Sequence, residues 1–118
     1  MVLRDNHLFS YILCKIADPN TANQQGCTPL PPSAFQGHKD VVLLLLDRGA
    51  EPNMADRSGW TPLLCAASKG HQDVVQLLLD RRADPNMANH IGRTPLAYAL
   101  QRDHMKTANI LTENGATV

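Results

Sequence analysis

The stretch Ser58-Gly59-Trp60-Thr61-Pro62-Leu63-Leu64-Cys65-Ala66-Ala67-Ser68-Lys69-Gly70-His71 decides the fold of this chain, because its parts return at a fixed spacing. Gly-x-Thr-Pro-Leu begins at Gly26, Gly59 and Gly92, 33 residues apart each time. Gly37-His38, Gly70-His71 and Asp103-His104 keep that period. So do Ala17-Asp18-Pro19-Asn20, Ala50-Glu51-Pro52-Asn53 and Ala83-Asp84-Pro85-Asn86. Residues 25–57 and 58–90 are identical at 20 of 33 positions. Such a period means stacked supersecondary units, each too small to close a core alone.

The chemistry of one unit follows from its residues. Gly59 allows a turn, Thr61 offers a hydroxyl to cap a helix, and Pro62 stands at the first helical position, where its missing amide costs nothing. A first helix is predicted from Pro62 to about Lys69. Gly70-His71 ends it, and Asp73 opens a second helix through Val74, Val75, Leu77, Leu78 and Leu79. These apolar residues cover most of that helix's circumference, so it must be buried on two sides. Ala83-Asp84-Pro85-Asn86-Met87-Ala88-Asn89 then reads as an extended finger before Gly92.

Gly59-x-Thr61-Pro62-Leu63-x-x-Ala66-Ala67-x-x-Gly70-His71-x-x-Val74-Val75-x-Leu77-Leu78-Leu79, followed by Ala83-Asp84-x-Asn86, resembles the ankyrin repeat over about residues 8–118. The resemblance implies an all-α solenoid of stacked helix-turn-helix units with β-hairpin fingers. It further implies a protein-binding scaffold with no catalytic residues and no cofactor. The period divides the chain into a half repeat over residues 1–24, repeats over 25–57 and 58–90, and a capping repeat over 91–118. Leu8, Phe9, Ile12 and Leu13 fall in the second helix of the half repeat. That half is read as a one-helix cap or the cut edge of a longer array, and a monomer is expected unless it is exposed.

Composition narrows the partner classes. Eleven Lys and Arg balance eleven Asp and Glu over 118 residues, which gives no bulk field for nucleic acid or an anionic membrane. The longest apolar run, Val41 to Leu46, is too short to cross a bilayer. Cys14, Cys27 and Cys65 are odd in number and lack metal-site spacing, so they are read as reduced thiols of a soluble cytoplasmic or nuclear protein. His38, His71 and His104 recur one unit apart, too far to share a metal ion, and are structural. Asp47, Asp80 and Glu113 read as solvated helix residues. Gly26, Gly59 and Gly92 are isolated turn glycines and not a phosphate loop.

Departures from the pattern carry their own expectations. Pro31, Leu64 and Ala97 stand where the family usually has His, which predicts less firmly held turns. Pro31-Pro32 predicts a shortened or distorted helix over residues 29–36. Arg82 and Ile16 stand where Gly49 and Gly115 end their helices, a position that favours a left-handed residue. Thr107 and Thr112 replace Val74 and Leu79, which predicts polar atoms on a capping face.

In ankyrin-like scaffolds, partners contact finger tips and first helices at positions the pattern leaves free. Carried onto this chain, these are Gln24, Gln25, Cys27, Phe35 and Gln36; Arg57, Ser58, Trp60, Ser68 and Lys69; and His90, Ile91, Arg93, Gln101 and Arg102. Phe35 and Trp60 stand out in a chain with 4% aromatic residues. Arg57, Lys69, Arg93 and Arg102 bias this face toward an acidic-plus-apolar peptide or a carboxylate-bearing surface. Asn20, Asn53 and Asn86 resemble finger asparagines hydroxylated by an intracellular asparaginyl hydroxylase; a structural bond across the hairpin is the other role open to them. The expected function is a non-catalytic protein–protein interaction scaffold. Two alternatives are a regulatory part of a larger enzyme and a stoichiometric inhibitor of a kinase or protease, in which a shortened helix at Pro31-Pro32 makes room for the target.

Overall fold

The computed structural model describes residues 30–117, which form three helix pairs. The first pair is α1 (Leu30–Gln36) and α2 (Lys39–Asp47). The second is α3 (Pro62–Lys69) and α4 (Gln72–Asp80), and the third is α5 (Pro95–Gln101) and α6 (Met105–Glu113). First helices stack on first helices, α1 on α3 on α5, and second helices on second, α2 on α4 on α6. The half repeat, Ile16 and Asn20 lie outside the described residues.

Each unit starts and stops by local chemistry. Thr61, extended at φ −79° and ψ 163°, accepts the amide of Leu64 on its hydroxyl at 3.1 Å, and Pro62 follows at the first helical position. Thr94 repeats this with the amide of Ala97 at 3.2 Å. The caps therefore hold with Leu64 and Ala97 in the place of the family's His. Every described helix ends in the same double bond to its last turn, as in His71 N to Ala66 O (3.0 Å) with Gly70 N to Ala67 O (3.1 Å). This closure needs a left-handed residue at its centre. Arg82 supplies it for α4 at φ 73°, as expected, and Asp103 supplies it for α5 at φ 60°.

The core is aliphatic and runs the length of the stack. Leu30, Leu45, Leu63, Val74, Val75, Leu78 and Leu111 are at most 1% exposed. Ser33, Ala66 and Ala99 share one position of the period and are each 0% exposed, so the first helices meet through small residues. In α3, between two neighbours, Pro62 to Ser68 are all buried.

Four expectations are corrected. Helix α1 is not cut short at Pro31-Pro32: it continues past both prolines to Gln36, the counterpart of Lys69 that ends α3. Pro31 lies in its first turn, where an amide has no intrahelical acceptor to lose. The fingers do not pair as strands among the described residues. Each closes as a tight turn, Asp56 N to Trp60 O and Asn89 N to Arg93 O, both 3.1 Å. Thr107 is 1% exposed in the interior, with its hydroxyl unbonded, and only Thr112 faces outward. Asp47 is not simply solvated: it pairs with Arg81 one unit on, at 2.8 Å.

Candidate functional site

The finger turns are held from within by side chains one period apart. Asp56 Oδ1 accepts the amides of Ser58 (2.9 Å) and Trp60 (3.0 Å), and Asn89 Oδ1 accepts those of Ile91 (3.2 Å) and Arg93 (3.1 Å). Neighbouring fingers are then tied by His90 N to Ser58 O at 3.1 Å. Asn89 also donates from Nδ2 to the Tyr98 hydroxyl at 2.8 Å, which locks the finger onto α5. Rigid fingers place their variable residues against the first helices.

There, the predicted residues join into one strip. Lys69 Nζ lies 4.7 Å above the Phe35 ring. Beside Phe35 a cleft of about 350 Å³ is lined by Pro31, Pro32, Phe35, Gln36, Asp56, Trp60 and Cys65. On the far side Trp60 packs against Tyr98, with ring centroids 4.8 Å apart and planes tilted by 36°. The Arg93 guanidinium lies 5.8 Å from the other ring of that pair, Tyr98, and donates to Gln101 Oε1 at 3.2 Å. Phe35 is 40% exposed and Ile91 70%, a finger-tip hydrophobe facing solvent.

Other candidates fall elsewhere. Arg57, Ser58, His90 and Arg102 are exposed. Ser68 is withdrawn from the face: it is 2% exposed and its hydroxyl donates to the Cys65 carbonyl at 3.1 Å. Its neighbour Lys69 is exposed, whereas Ser68 is covered in α3, the first helix that has a neighbour on both sides. Gln24, Gln25 and Cys27 lie outside the described residues. Trp60 is half-buried and packed on the core instead of standing free. Sequence reasoning missed Tyr98 and Asp56. The recurrence of Asp56 and Asn89 one period apart was the available signal.

Asn53 and Asn86 bond between units. Asn53 Oδ1 accepts the amide of Asp84 at 2.7 Å, and Asn86 Oδ1 accepts that of Thr117 at 2.8 Å, each from the loop one unit on. His71 also reaches back one unit, donating from Nε2 to the Phe35 carbonyl at 3.0 Å. These recurring polar residues fasten neighbouring units to one another and do not line the cleft.

No helix among the described residues is long and apolar enough to cross a membrane. No curated protein matches the chain. A family model described as ankyrin repeats (3 copies) matches residues 2–89 and 34–118. Helix pairs that repeat every 33 residues and stack like upon like are what such a match requires, and the chain belongs to the ankyrin-repeat family.

Proposed function

We propose that this chain is a non-catalytic interaction module that holds a partner protein against its finger and first-helix face. Ankyrin repeats are generally protein–protein interaction modules. The observation that carries the reading here is the strip of Lys69, Phe35, the cleft, Trp60, Arg93 and Gln101, backed from within by the buried Tyr98. Its aromatic and cationic side chains are the types that anchor interfaces, and its backbone is already held by hydrogen bonds, so binding orders little. The inhibitor reading rested on a helix cut short at Pro31-Pro32, and α1 continues past both prolines to Gln36.

Capture from cell extract tests the proposal. Phe35→Ser and Arg93→Glu alter exposed side chains and should abolish retention of a partner that the unaltered chain retains. Gln76→Ala, on the exposed side of α4, should leave it unchanged. Retention that survives both strip variants and fails with Gln76→Ala would move the interface to the second helices.

A further inference from the structure

The cleft beside Phe35 combines an apolar interior with a cationic rim. Pro31, Pro32, Phe35 and Trp60 supply its walls, and the buried Cys65 thiol belongs to its lining. Its volume of about 350 Å³ is at the small end of ligand pockets, roughly 300–1,000 Å³, which suits one or two inserted side chains and not a folded element. The carboxylate in the wall, Asp56, already accepts two backbone amides, so its charge is partly answered from within the chain. Lys69 at the rim is exposed and rests on the Phe35 π face. Arg93, beyond Trp60, lies on the Tyr98 ring and donates to the neutral Gln101 amide. Among the described residues neither cation has a carboxylate at ion-pair distance. The strip thus offers an apolar hole between two cations whose charge is unanswered.

Resting on the reading above, we infer that the cleft takes a leucine or aromatic side chain from an extended partner segment bearing carboxylates on either side of it. The apolar side chain supplies the affinity, because it replaces water against Pro31, Pro32, Phe35 and Trp60. The carboxylates supply selection: exposed ion pairs contribute little affinity but speed encounter and reject segments of the wrong sign. A basic segment would bring its charges against Lys69 and Arg93.

Trp60 is the chain's single tryptophan and lines the cleft, so its emission reports occupancy directly. The probes are three short peptides: a central Leu flanked on both sides by Glu, the same with Lys for Glu, and the Glu peptide with Ser for Leu. The Leu–Glu peptide should change Trp60 emission saturably and bind roughly two- to fivefold tighter than its Lys counterpart. That margin should shrink as salt is raised, and the Ser peptide should leave the emission unchanged. Lys69→Glu, an exposed change whose fold is checked by helical circular dichroism, leaves one charge of each sign beside the cleft and should abolish the preference for the acidic peptide over the basic one. Equal or preferred binding of the Lys peptide overturns the acidic occupant while leaving an apolar docking cleft intact. Silence toward all three peptides overturns the inserted side chain. In that case the capture experiment above still decides separately whether the face binds a protein at all.

Discussion

Three positions of the period put the backbone at positive φ among the described residues, and at two of them, the helix ends, what is tolerated depends on what stands opposite. A Cβ on Gly37 or Gly70 would come within 2.8 or 2.7 Å of the imidazole of His71 or His104, so the glycine of one unit seats the histidine of the next. At Gly49 and Gly115 a Cβ would meet nothing within 4 Å, and only the left-handed backbone matters. Arg82 shares that second position, at φ 73° and exposed. Left-handed backbone costs an L-residue about 1–2 kcal/mol, and glycine returns about 0.4–1 kcal/mol of that through a freer unfolded chain. Arg82→Gly should therefore gain about 0.5–1 kcal/mol and raise Tm by a few degrees in a thermal melt. A second residue carries the opposite defect. The Thr107 hydroxyl is buried without a partner where α4 has Val74, so Thr107→Val should stabilise by about 1 kcal/mol in urea titration. A loss on that substitution would mean that the hydroxyl is satisfied.

At the scale of the element, α3 and α5 each depend on one hydroxyl. Thr61 is 2% exposed and satisfies the amide of Leu64, which has no other acceptor in the first turn. Thr61→Ala should cost about 1–2 kcal/mol, seen as a lower urea midpoint at unchanged slope. This cap was legible from Thr-Pro alone, because the bonds of a helix start lie within four residues. The end of α1 was not. Pro32 counted from Pro29 stands fourth, where an amide is needed, yet α1 continues past it to Gln36. A shift of one residue in a helix start decides whether a proline breaks or merely begins the helix, and periodicity does not resolve one residue. The fingers show the same limit. Asp56 and Asn89 close turns by side-chain acceptance, and that bonding leaves no strand ladder among the described residues.

Across the whole molecule, stability resides in unit interfaces as much as in units. Ser33, Ala66 and Ala99 meet along the first-helix stack with no exposure, so a larger side chain has nowhere to go. Ala66→Leu should cost about 1–3 kcal/mol by overpacking, and it should broaden the denaturant transition as the α1–α3 and α3–α5 interfaces uncouple. A transition that shifts without broadening would show that the described units unfold as one block. By contrast the Arg81–Asp47 pair, with side chains 39% and 52% exposed, adds little to cohesion between second helices. The bonds from Asn53, Asn86 and His71 to backbone groups one unit away are better directed, and those of Asn53 and Asn86 are equivalent one period apart.

The amino-acid sequence by itself determined the family, the period and the helices of each unit, because caps, left-handed helix ends and apolar stripes are written in residues within a turn or two of each other. It also singled out Phe35, Lys69, Trp60 and Arg93 as residues free of the repeat's constraints. Only the tertiary structure decided that Phe35 and Trp60 wall one cleft, that Trp60 leans on Tyr98, and that Ser68 and Thr107 face inward. The physical reason is that those contacts join residues from different units, where the angle at which one helix packs on the next sets which side chains meet. Spacing along the chain fixes the face of a helix only to within a residue, and a residue's step around the helix separates a buried hydroxyl from an exposed ammonium.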